Sequence, residues 1–367
     1  MSELKIFLPR IIIDTHIHGR GLKQGYKTTP YQTLKEAKKG NISVSVFMPN
    51  TDPPITTMEM LWKYISLLEG VRKDVGLRHE QYLYFGATDG NLEQCEKALR
   101  IPAVVGLKIY PKKLDGGIVT VGSAGIGVAL DETILKMMEL TAKSGKVLAV
   151  HCDDPEIIGR DGHTIEAEVS YVKKIVFFAS KVPEVKVVIC HVSCRESANI
   201  ILEAQRGGMR IAIELTPHHL WFSENGKGMR FSRQLDSVFY HCLNKLRSEE
   251  DRKHLVDLLA LPSPLIFIGS DSACHTREEK LEKGLAGIPS NQEMVAVIIT
   301  LAVKMGLSEE RIAQLVSYNA SKFLGIPVHE GFRGYLVEEG IVDNLQYNNG
   351  KVTNPWMGQN LCFVMPV

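Results

Sequence analysis

Two histidines separated by a single residue follow a run of β-branched apolar residues near the start of the chain. The stretch reads Ile11-Ile12-Ile13-Asp14-Thr15-His16-Ile17-His18. Such a run predicts a buried strand, and side chains two residues apart on a strand face the same way. Two neutral imidazoles on one face form half of a site for a divalent metal ion. The alternative for His16 and His18 is a pair of histidines in a surface turn.

Strand-like and helical segments alternate over most of the chain. The strand-like segments are residues 10–14, 42–48, 81–87, 103–109, 147–151, 186–191, 210–214 and 265–270. The helical patterns are residues 31–40, 57–71, 91–99, 131–145, 164–181, 194–206, 248–260 and 291–305. Apolar strands separated by helices are typical of a parallel sheet that is covered on both sides. Eight such units predict an α/β fold of the (β/α)8 TIM-barrel type.

The chain divides into a barrel and a short extension. We expect residues 1–306 to form the barrel, and residues 307–367 to add two short helices and an irregular tail (340–367) that pack on its outside. Two long connections, residues 111–130 and 216–245, follow the fourth and seventh strands. The first is glycine-rich, which favours a mobile lid over the active site, and the alternative is a disordered surface insertion.

Polar side chains stand at the ends of several predicted strands, where the chemistry of a barrel is located. They are His16, His18, Lys108, His151, His191 and Asp271. A single histidine at a strand end is more often a structural hydrogen-bonding group than a ligand. Four histidines and an aspartate at the ends of four strands of one barrel predict instead a shared metal site.

Two cations fit this set better than one. The histidines of strand one and Asp271 would hold one ion, and those of strands five and six would hold the other. Such a pair needs a bridging anion, yet no carboxylate ends strand four. Lys108 stands there, and a neutral lysine amine can add CO2 to give a bridging carbamate. The alternatives for Lys108 are pairing with an anionic substrate and Schiff-base chemistry.

This ligand set predicts hydrolysis of an amide-like bond, or the reverse condensation. A hydroxide that bridges two Zn²⁺ ions is a nucleophile at neutral pH. Asp271 would bind one ion and lie beside that hydroxide. It can therefore accept the proton during attack and pass it to the leaving nitrogen as a general acid.

Three further residues are expected at the same mouth of the barrel. Arg20 lies two residues past His18, Asn50 follows strand two, and His275 lies four residues past Asp271. Arginine matches a carboxylate with a planar fork, asparagine adds a directed donor, and His275, if protonated, adds a second positive partner. We therefore expect a small acidic substrate with an amide or imide group. The alternative for each residue is a solvated loop or turn position.

Composition limits the class of protein. The 367 residues are 44% hydrophobic and 23% charged, with a net charge of +1. These values are typical of a globular protein, and the charge balance points to no nucleic acid and no membrane surface. The seven cysteines are scattered. We expect free thiols in a reducing cytoplasm, with the five near strand ends acting as small core residues.

The motifs together resemble the dihydroorotases of the amidohydrolase superfamily, in their shorter form that consists of the barrel alone. The matching segments run from residue 11 to about 290. They are Asp14-Thr15-His16-Ile17-His18-Gly19-Arg20, Met48-Pro49-Asn50-Thr51, Gly106-Leu107-Lys108-Ile109-Tyr110-Pro111, Val150-His151, Cys190-His191-Val192-Ser193, Thr216-Pro217-His218-His219-Leu220, Cys242-Leu243, Gly269-Ser270-Asp271-Ser272-Ala273-Cys274-His275 and Ala286-Gly287.

The resemblance implies a specific reaction and site. It implies two Zn²⁺ per subunit bridged by N6-carboxylated Lys108, and reversible cyclisation of N-carbamoyl-L-aspartate to L-dihydroorotate in de novo pyrimidine biosynthesis. Asp271 would carry the proton. Arg20, Asn50 and His275 would hold the substrate carboxylate, and backbone groups near Leu243 and Ala286 would contact the ring. The resemblance also implies a homodimer.

The sequence departs from the pattern of the family at a few positions and leaves two alternatives open. Gly19 replaces a usual leucine, Cys274 replaces a proline, and the segment after Leu243 fits neither common version of that loop. One alternative is another cyclic amidase, similar to hydantoinases or allantoinases, although a neutral ring needs no arginine fork. The other is an inactive barrel that serves as an assembly partner.

Overall fold

A parallel sheet forms the centre of the computed structural model, which describes residues 4–75, 79–114, 126–224, 235–329, 331–343 and 346–367. Its strands, in the order in which they pair, are β2 (Ile13–His18), β3 (Val44–Phe47), β4 (Glu80–Gly86), β5 (Val104–Ile109), β6 (Val147–Val150), β7 (Lys186–Ile189), β8 (Ile211–Leu215) and β9 (Ile266–Ile268). A short strand, β10 (Ser272–Ala273), pairs with β2.

Strands β9 and β10 close the sheet into a barrel. Strand β9 pairs with β8, and after three residues the same stretch of chain continues as β10 beside β2. The prediction of a (β/α)8 barrel is thereby confirmed. All eight predicted strands are present, although the first is Ile13–His18 rather than residues 10–14.

Helices surround the sheet. They are α1 (Pro30–Lys39), α2 (Met58–Val75), α3 (Leu92–Ala98), α4 (Asp131–Ser144), α5 (Pro155–Asp161), α6 (Ile165–Ala179), α7 (Arg195–Arg206), α8 (Pro217–Trp221), α9 (Glu249–Asp257), α10 (Arg277–Lys283), α11 (Met294–Met305), α12 (Glu309–Ala313) and α13 (Asn319–Leu324). Side-chain caps begin several of them, as where Thr276 accepts a hydrogen bond from the Glu279 amide at the start of α10. None of the described helices combines the length and apolar composition of a membrane span.

Alternating side chains of the strands pack on opposite faces of the barrel wall. On β6, Leu148 and Val150 pack in the large cluster under the helices, whereas Val147 and Ala149 pack in a smaller cluster inside the barrel. The same alternation positions the polar residues. Because Leu107 and Ile109 both face the helices, a side chain at position 108 points into the barrel.

An antiparallel sheet joins the two ends of the chain. Two short strands, β12 (Gln346–Tyr347) and β13 (Val352–Thr353), pair with each other. Strand β1 (Leu4–Pro9) pairs with β11 (Phe332–Ile341), which also pairs with β14 (Asn360–Pro366). The expectation of an irregular tail over residues 340–367 is therefore wrong for these strands. Their partners lie at opposite ends of the sequence, so no local pattern reveals the pairing. The division of the chain at residue 306 stays a prediction.

The predicted lid falls mostly outside the described residues, which stop at 114 and resume at 126. The two ends of this connection are described and are hydrogen-bonded to each other. The Val128 amide donates to the Tyr110 carbonyl at 2.9 Å, and the Lys112 amide donates to the Val128 carbonyl at 3.0 Å. The connection over residues 216–245 is likewise described except for 225–234.

Two buried carboxyl groups connect the barrel to the segment that follows β11. Glu293 accepts hydrogen bonds from the Tyr347 hydroxyl and from Asn354 Nδ2, the latter at 2.8 Å. Glu36 accepts from the Asn348 amide at 2.9 Å. Burial, partly opposed by these hydrogen bonds, raises the pKa of each carboxyl from 4.5 to about 7.

These raised pKa values predict that stability decreases as the pH rises from about 4.5 to about 7. In that window the folded state binds more protons than the unfolded state, so the free energy of unfolding falls with pH. Glu293→Gln removes one of the two groups. We expect this substitution to reduce the decrease in the free energy of unfolding between pH 5 and pH 8 by roughly 1–3 kcal/mol.

Urea denaturation at both pH values measures this difference. Glu339→Gln, at an exposed position of β11, is the matched control and should keep the wild-type pH dependence. An equal loss of stability in Glu293→Gln and in the wild-type protein would contradict the assignment.

Candidate active site

Five of the six polar residues predicted at the strand ends come together around one cavity at the carboxyl ends of the strands, and the sixth, Lys108, is fully buried. The residues that line it are His16, His18, Arg20, Asn50, Tyr110, His151, His191, Leu243, Asp271, Ala273, Ala286 and Gly287. The four imidazoles are 1–8% exposed, and Asp271 is 7% exposed. The cavity is thus a buried pocket with an unusual density of metal-binding groups.

Asp271 lies between the two histidines of β2. Its Oδ1 is 3.2 Å from His16 Nε2 and 3.0 Å from His18 Nε2. Other hydrogen bonds determine which nitrogen of each ring carries the proton. His16 Nδ1 faces the Glu214 carboxylate at 2.7 Å, and His18 Nδ1 faces Asn50 Oδ1 at 2.7 Å. Both Nδ1 atoms therefore donate, and both Nε2 lone pairs face a carboxylate oxygen. Three acceptors that converge in this way could hold a cation among them.

The histidines of the next pair lie beside the first. His151 Nδ1 is 3.0 Å from His191 Nε2, and the His16 and His191 ring centroids are 5.4 Å apart. The remaining nitrogens, His151 Nε2 and His191 Nδ1, are buried and have no hydrogen-bond partner. Buried polar atoms normally have partners, so these orphaned nitrogens fit a histidine pair that would bind a metal ion.

Lys108 projects into the barrel from β5 and is fully buried. Its Nζ donates to Cys190 Sγ at 2.9 Å and lies 5.1 Å from the centre of the Tyr110 ring. Among the described residues, no carboxylate forms an ion pair with it. A buried ammonium without an anionic partner is costly. If the amine were converted to a carbamate beside two cations, this cost would be avoided.

Burial keeps the imidazoles of the cavity neutral. It lowers the pKa of His16, and it lowers those of His18, His151 and His191 well below the usual 6.5. Neutral imidazole is the form that binds metal ions. Burial also raises the pKa of Asp271, with a further contribution from the charge of Glu214.

Three residues of the site have backbone conformations that are rare for residues other than glycine. Their φ angles are +47° at Arg20, +39° at His191 and +44° at Asp271. Such conformations persist where the surrounding structure holds them, and they cluster at functional sites. One compensating contact is visible here, since the Ser270 amide beside Asp271 donates to Asp14 Oδ1 at 2.8 Å.

Glu214 is a site residue that the sequence analysis missed. It lies on β8, is fully buried, and accepts from His16 Nδ1 and, at 2.8 Å, from the Thr15 hydroxyl. Burial alone would raise its pKa, but His16 and these hydrogen bonds hold the pKa below its usual range. A carboxylate in this place orients the imidazole of His16. The sequence feature that could have identified Glu214 is the presence of an acidic residue within the apolar stretch Ile211–Leu215.

The three residues expected to hold a carboxylate also come together. Arg20 Nη1 donates to the Asn50 carbonyl at 3.5 Å, and Arg20 Nη2 is 3.4 Å from His275 Nε2. Burial lowers the pKa of His275 to about 3, so this imidazole is neutral rather than a second positive charge. Leu243 and Ala286 also line the cavity, and their contact with the substrate ring stays a prediction.

The glycine at position 19 has a packing reason. A Cβ atom there would lie 2.2 Å from the Phe47 ring and 2.9 Å from the Tyr64 hydroxyl. The aromatic ring from β3 therefore occupies the space that a larger residue would need. All seven cysteines are buried and unpaired, and Cys190 is the one that contacts a predicted ligand.

Comparisons with known proteins agree with this geometry. The profile of the Amidohydrolase family matches residues 11–331. A curated dihydroorotase from Thermococcus kodakarensis is 29% identical over 97% of this chain and 80% of its own length. Another dihydroorotase, from Fusobacterium nucleatum, is 27% identical over 92% of this chain and 76% of its own length.

Solved structures show the same fold. The dihydroorotase of Saccharomyces cerevisiae, in complex with 5-fluoroorotic acid, superimposes with a TM-score of 0.82 at 20% identity, over 98% of this chain and 99% of that one. The L-hydantoinase of Arthrobacter aurescens gives 0.81 at 20% identity, over 99% of this chain and 85% of that one. The resemblance to dihydroorotases that the motifs indicated is confirmed.

Proposed function

The chain belongs to the Amidohydrolase family, and on that premise we propose that it is a zinc-dependent dihydroorotase. It would interconvert N-carbamoyl-L-aspartate and L-dihydroorotate in de novo pyrimidine biosynthesis. One observation carries this proposal: a buried set of metal-binding groups shares its cavity with an arginine, Arg20, placed to receive a carboxylate. The names of the curated relatives support the same reaction.

The residues present fit a pair of cations. His16, His18 and Asp271 would supply three acceptor atoms to one ion, and His151 and His191 would supply ligands to the other. Carboxylated Lys108 would bridge the two. Nitrogen and oxygen ligands of this kind suit Zn²⁺. When bound, the cations polarise the substrate carbonyl and lower the pKa of water, which makes a nucleophile available at neutral pH.

Asp271 supplies the proton transfer. Among the residues that the structure describes, it is the one carboxylate on the cavity lining, and burial raises its pKa, which makes it a better base than an ordinary aspartate. Its carboxylate would accept a proton from the attacking water and deliver it to the ring nitrogen as the amide bond breaks. In the synthetic direction the same oxygen would remove the proton from the attacking nitrogen.

Arg20 and Asn50 orient the substrate. Asn50 Oδ1 is occupied by His18 Nδ1, which leaves Nδ2 as the donor that faces the cavity. Arg20 is 4% exposed, so a carboxylate bound to its guanidinium would be largely shielded from water. A carboxylate-bearing ring would be fixed by these donors with its amide towards Asp271.

Replacing Arg20 by methionine is expected to raise KM for dihydroorotate by about 10–100-fold, with a smaller change in kcat. The reason is that a charge-assisted hydrogen bond contributes about 1.5–3 kcal/mol to binding. Steady-state kinetics measures both constants. The control is Arg210→Met, at an exposed position whose side chain pairs with Glu184. An unchanged KM in Arg20→Met would contradict the assignment of a carboxylate-binding role.

A panel of substrates separates this proposal from the other candidates. Likeness to an L-hydantoinase structure keeps a neutral cyclic amide as the second candidate. We expect turnover of dihydroorotate and N-carbamoyl-L-aspartate and little turnover of hydantoin or allantoin. The reverse preference would overturn the proposed substrate. Metal-loaded protein that turns over none of the four would favour the inactive barrel. The homodimer and the cytoplasmic location stay predictions.

A further inference from the structure

His275 lies between two cations. Its Nδ1 is 3.2 Å from Lys27 Nζ, and its Nε2 is 3.4 Å from Arg20 Nη2. All three side chains are buried, with exposures of 3% for His275, 5% for Lys27 and 4% for Arg20. Water therefore has little access to compete for the ring nitrogens, and the protein itself determines which nitrogen carries the hydrogen.

A neutral imidazole has one N–H and one lone pair. A lysine ammonium only donates, so the closer contact, from Lys27 to Nδ1, places the lone pair on Nδ1. The ring hydrogen is then on Nε2. The opposite tautomer would set an N–H against the ammonium at 3.2 Å and gain only the longer contact from Arg20.

Glu279 is the other group near Nδ1, and it is already engaged. Its Oε2 is 3.6 Å from Nδ1, beyond hydrogen-bond distance, and accepts the Thr276 amide at 3.2 Å. Its Oε1 accepts from Lys27 Nζ at 3.0 Å and from the Tyr26 hydroxyl at 2.8 Å. Glu279 therefore holds the ammonium of Lys27 in place rather than taking a proton from the ring.

We propose that Lys27, held by Glu279, is a positioning residue that fixes His275 in the Nε2–H tautomer, so that a neutral histidine donates to the carboxylate of the substrate. The inference rests on the proposed function. It explains how His275 serves as a donor although burial keeps it uncharged. No protonation of the ring is needed at any step.

The geometry of the pocket agrees with this role. Nε2–H and Arg20 Nη2 are two donors only 3.4 Å apart, an arrangement that is unfavourable alone and favourable around one shared carboxylate oxygen. The Nε2 side of the ring also lies beside residues that line the cavity. Its Cδ2 atom, bonded to Nε2, lies 3.0 Å from where a Cβ of Gly287 would stand, and Gly287 lines the cavity.

The tautomer can be measured directly in the zinc-loaded protein. Long-range ¹H–¹⁵N correlation spectra of ¹⁵N-histidine-labelled enzyme distinguish a protonated ring nitrogen from one with a lone pair. A His275→Gln sample identifies the signals of this ring. We expect hydrogen on Nε2 in the wild-type protein. In Lys27→Met we expect a shift towards hydrogen on Nδ1, where Glu279 is then the nearest acceptor.

Kinetics provides the second measurement. Lys27→Met should raise KM for dihydroorotate by about 10-fold, the loss of roughly one hydrogen bond, with kcat within about threefold of the wild type. Lys27→Arg retains a donor and should keep most of the wild-type KM. The matched control, Lys23→Met, makes the same change at an exposed position four residues earlier and should change neither constant.

The outcomes separate this inference from the proposed function. Hydrogen on Nδ1 in the wild-type spectrum would overturn the inference even if Lys27→Met does not fold. So would an unchanged tautomer in a folded Lys27→Met. If the tautomer changes as expected but the wild-type enzyme does not act on dihydroorotate, the role of Lys27 stands and the assigned substrate fails.

Discussion

Replacing Lys108 by alanine is expected to abolish turnover and to lower the bound zinc from two ions towards one. The carbamate would be lost as a shared ligand, and both cation sites depend on it. Loss of a residue that only supports a metal ligand reduces activity by about 10–100-fold. Loss of a bridging ligand should therefore reduce activity by more than about 100-fold. Elemental analysis of the purified protein and steady-state kinetics measure the two effects.

Two controls make this result specific. Lys186→Ala removes another buried strand lysine, whose Nζ donates to the Phe323 carbonyl at 3.0 Å, and should keep both zinc ions. A short carboxylic acid added to Lys108→Ala should restore part of the activity, since it can occupy the place of the carbamate. Near-normal activity of Lys108→Ala without added acid would exclude the bridge.

Replacing Asp271 by asparagine is expected to lower kcat by about 10²–10⁴-fold, the usual range for loss of a general acid or base. Asparagine keeps an oxygen where Oδ1 approaches His16 and His18, but an amide cannot accept and return a proton. KM should change less than kcat. Stopped assays in both reaction directions test this, because one group serves both.

The matched control for this substitution is Asp257→Asn, at an exposed position of α9. It should leave kcat and KM unchanged. A kcat of Asp271→Asn within about threefold of the wild type would show that another group moves the proton, and it would remove Asp271 from the assigned chemistry.

The barrel and the core of the site were readable from sequence because both follow short-range rules. His16 and His18 are two residues apart on a strand, and Lys108 alternates with Leu107 and Ile109. A period of two then places all three side chains inside the barrel. Strand ends that meet at one rim bring distant residues together without any further information.

Other parts depend on contacts that no local pattern encodes. Lys27 and His275 are 248 residues apart in sequence and lie on connections, so their contact appears only in three dimensions. The charge state of His275 depends on burial, which the sequence does not reveal, and burial in the folded protein keeps the ring neutral. The sheet of β1, β11 and β14 was missed for the same reason as the contact to Lys27.

A crystal structure of the zinc-loaded protein, with anomalous diffraction recorded at the zinc edge, tests the central claim most directly. We expect two anomalous peaks in the cavity, one beside His16, His18 and Asp271 and the other beside His151 and His191. Electron density should continue past Lys108 Nζ towards both. A single peak, or a bare Lys108 amine that still contacts Cys190, would contradict it.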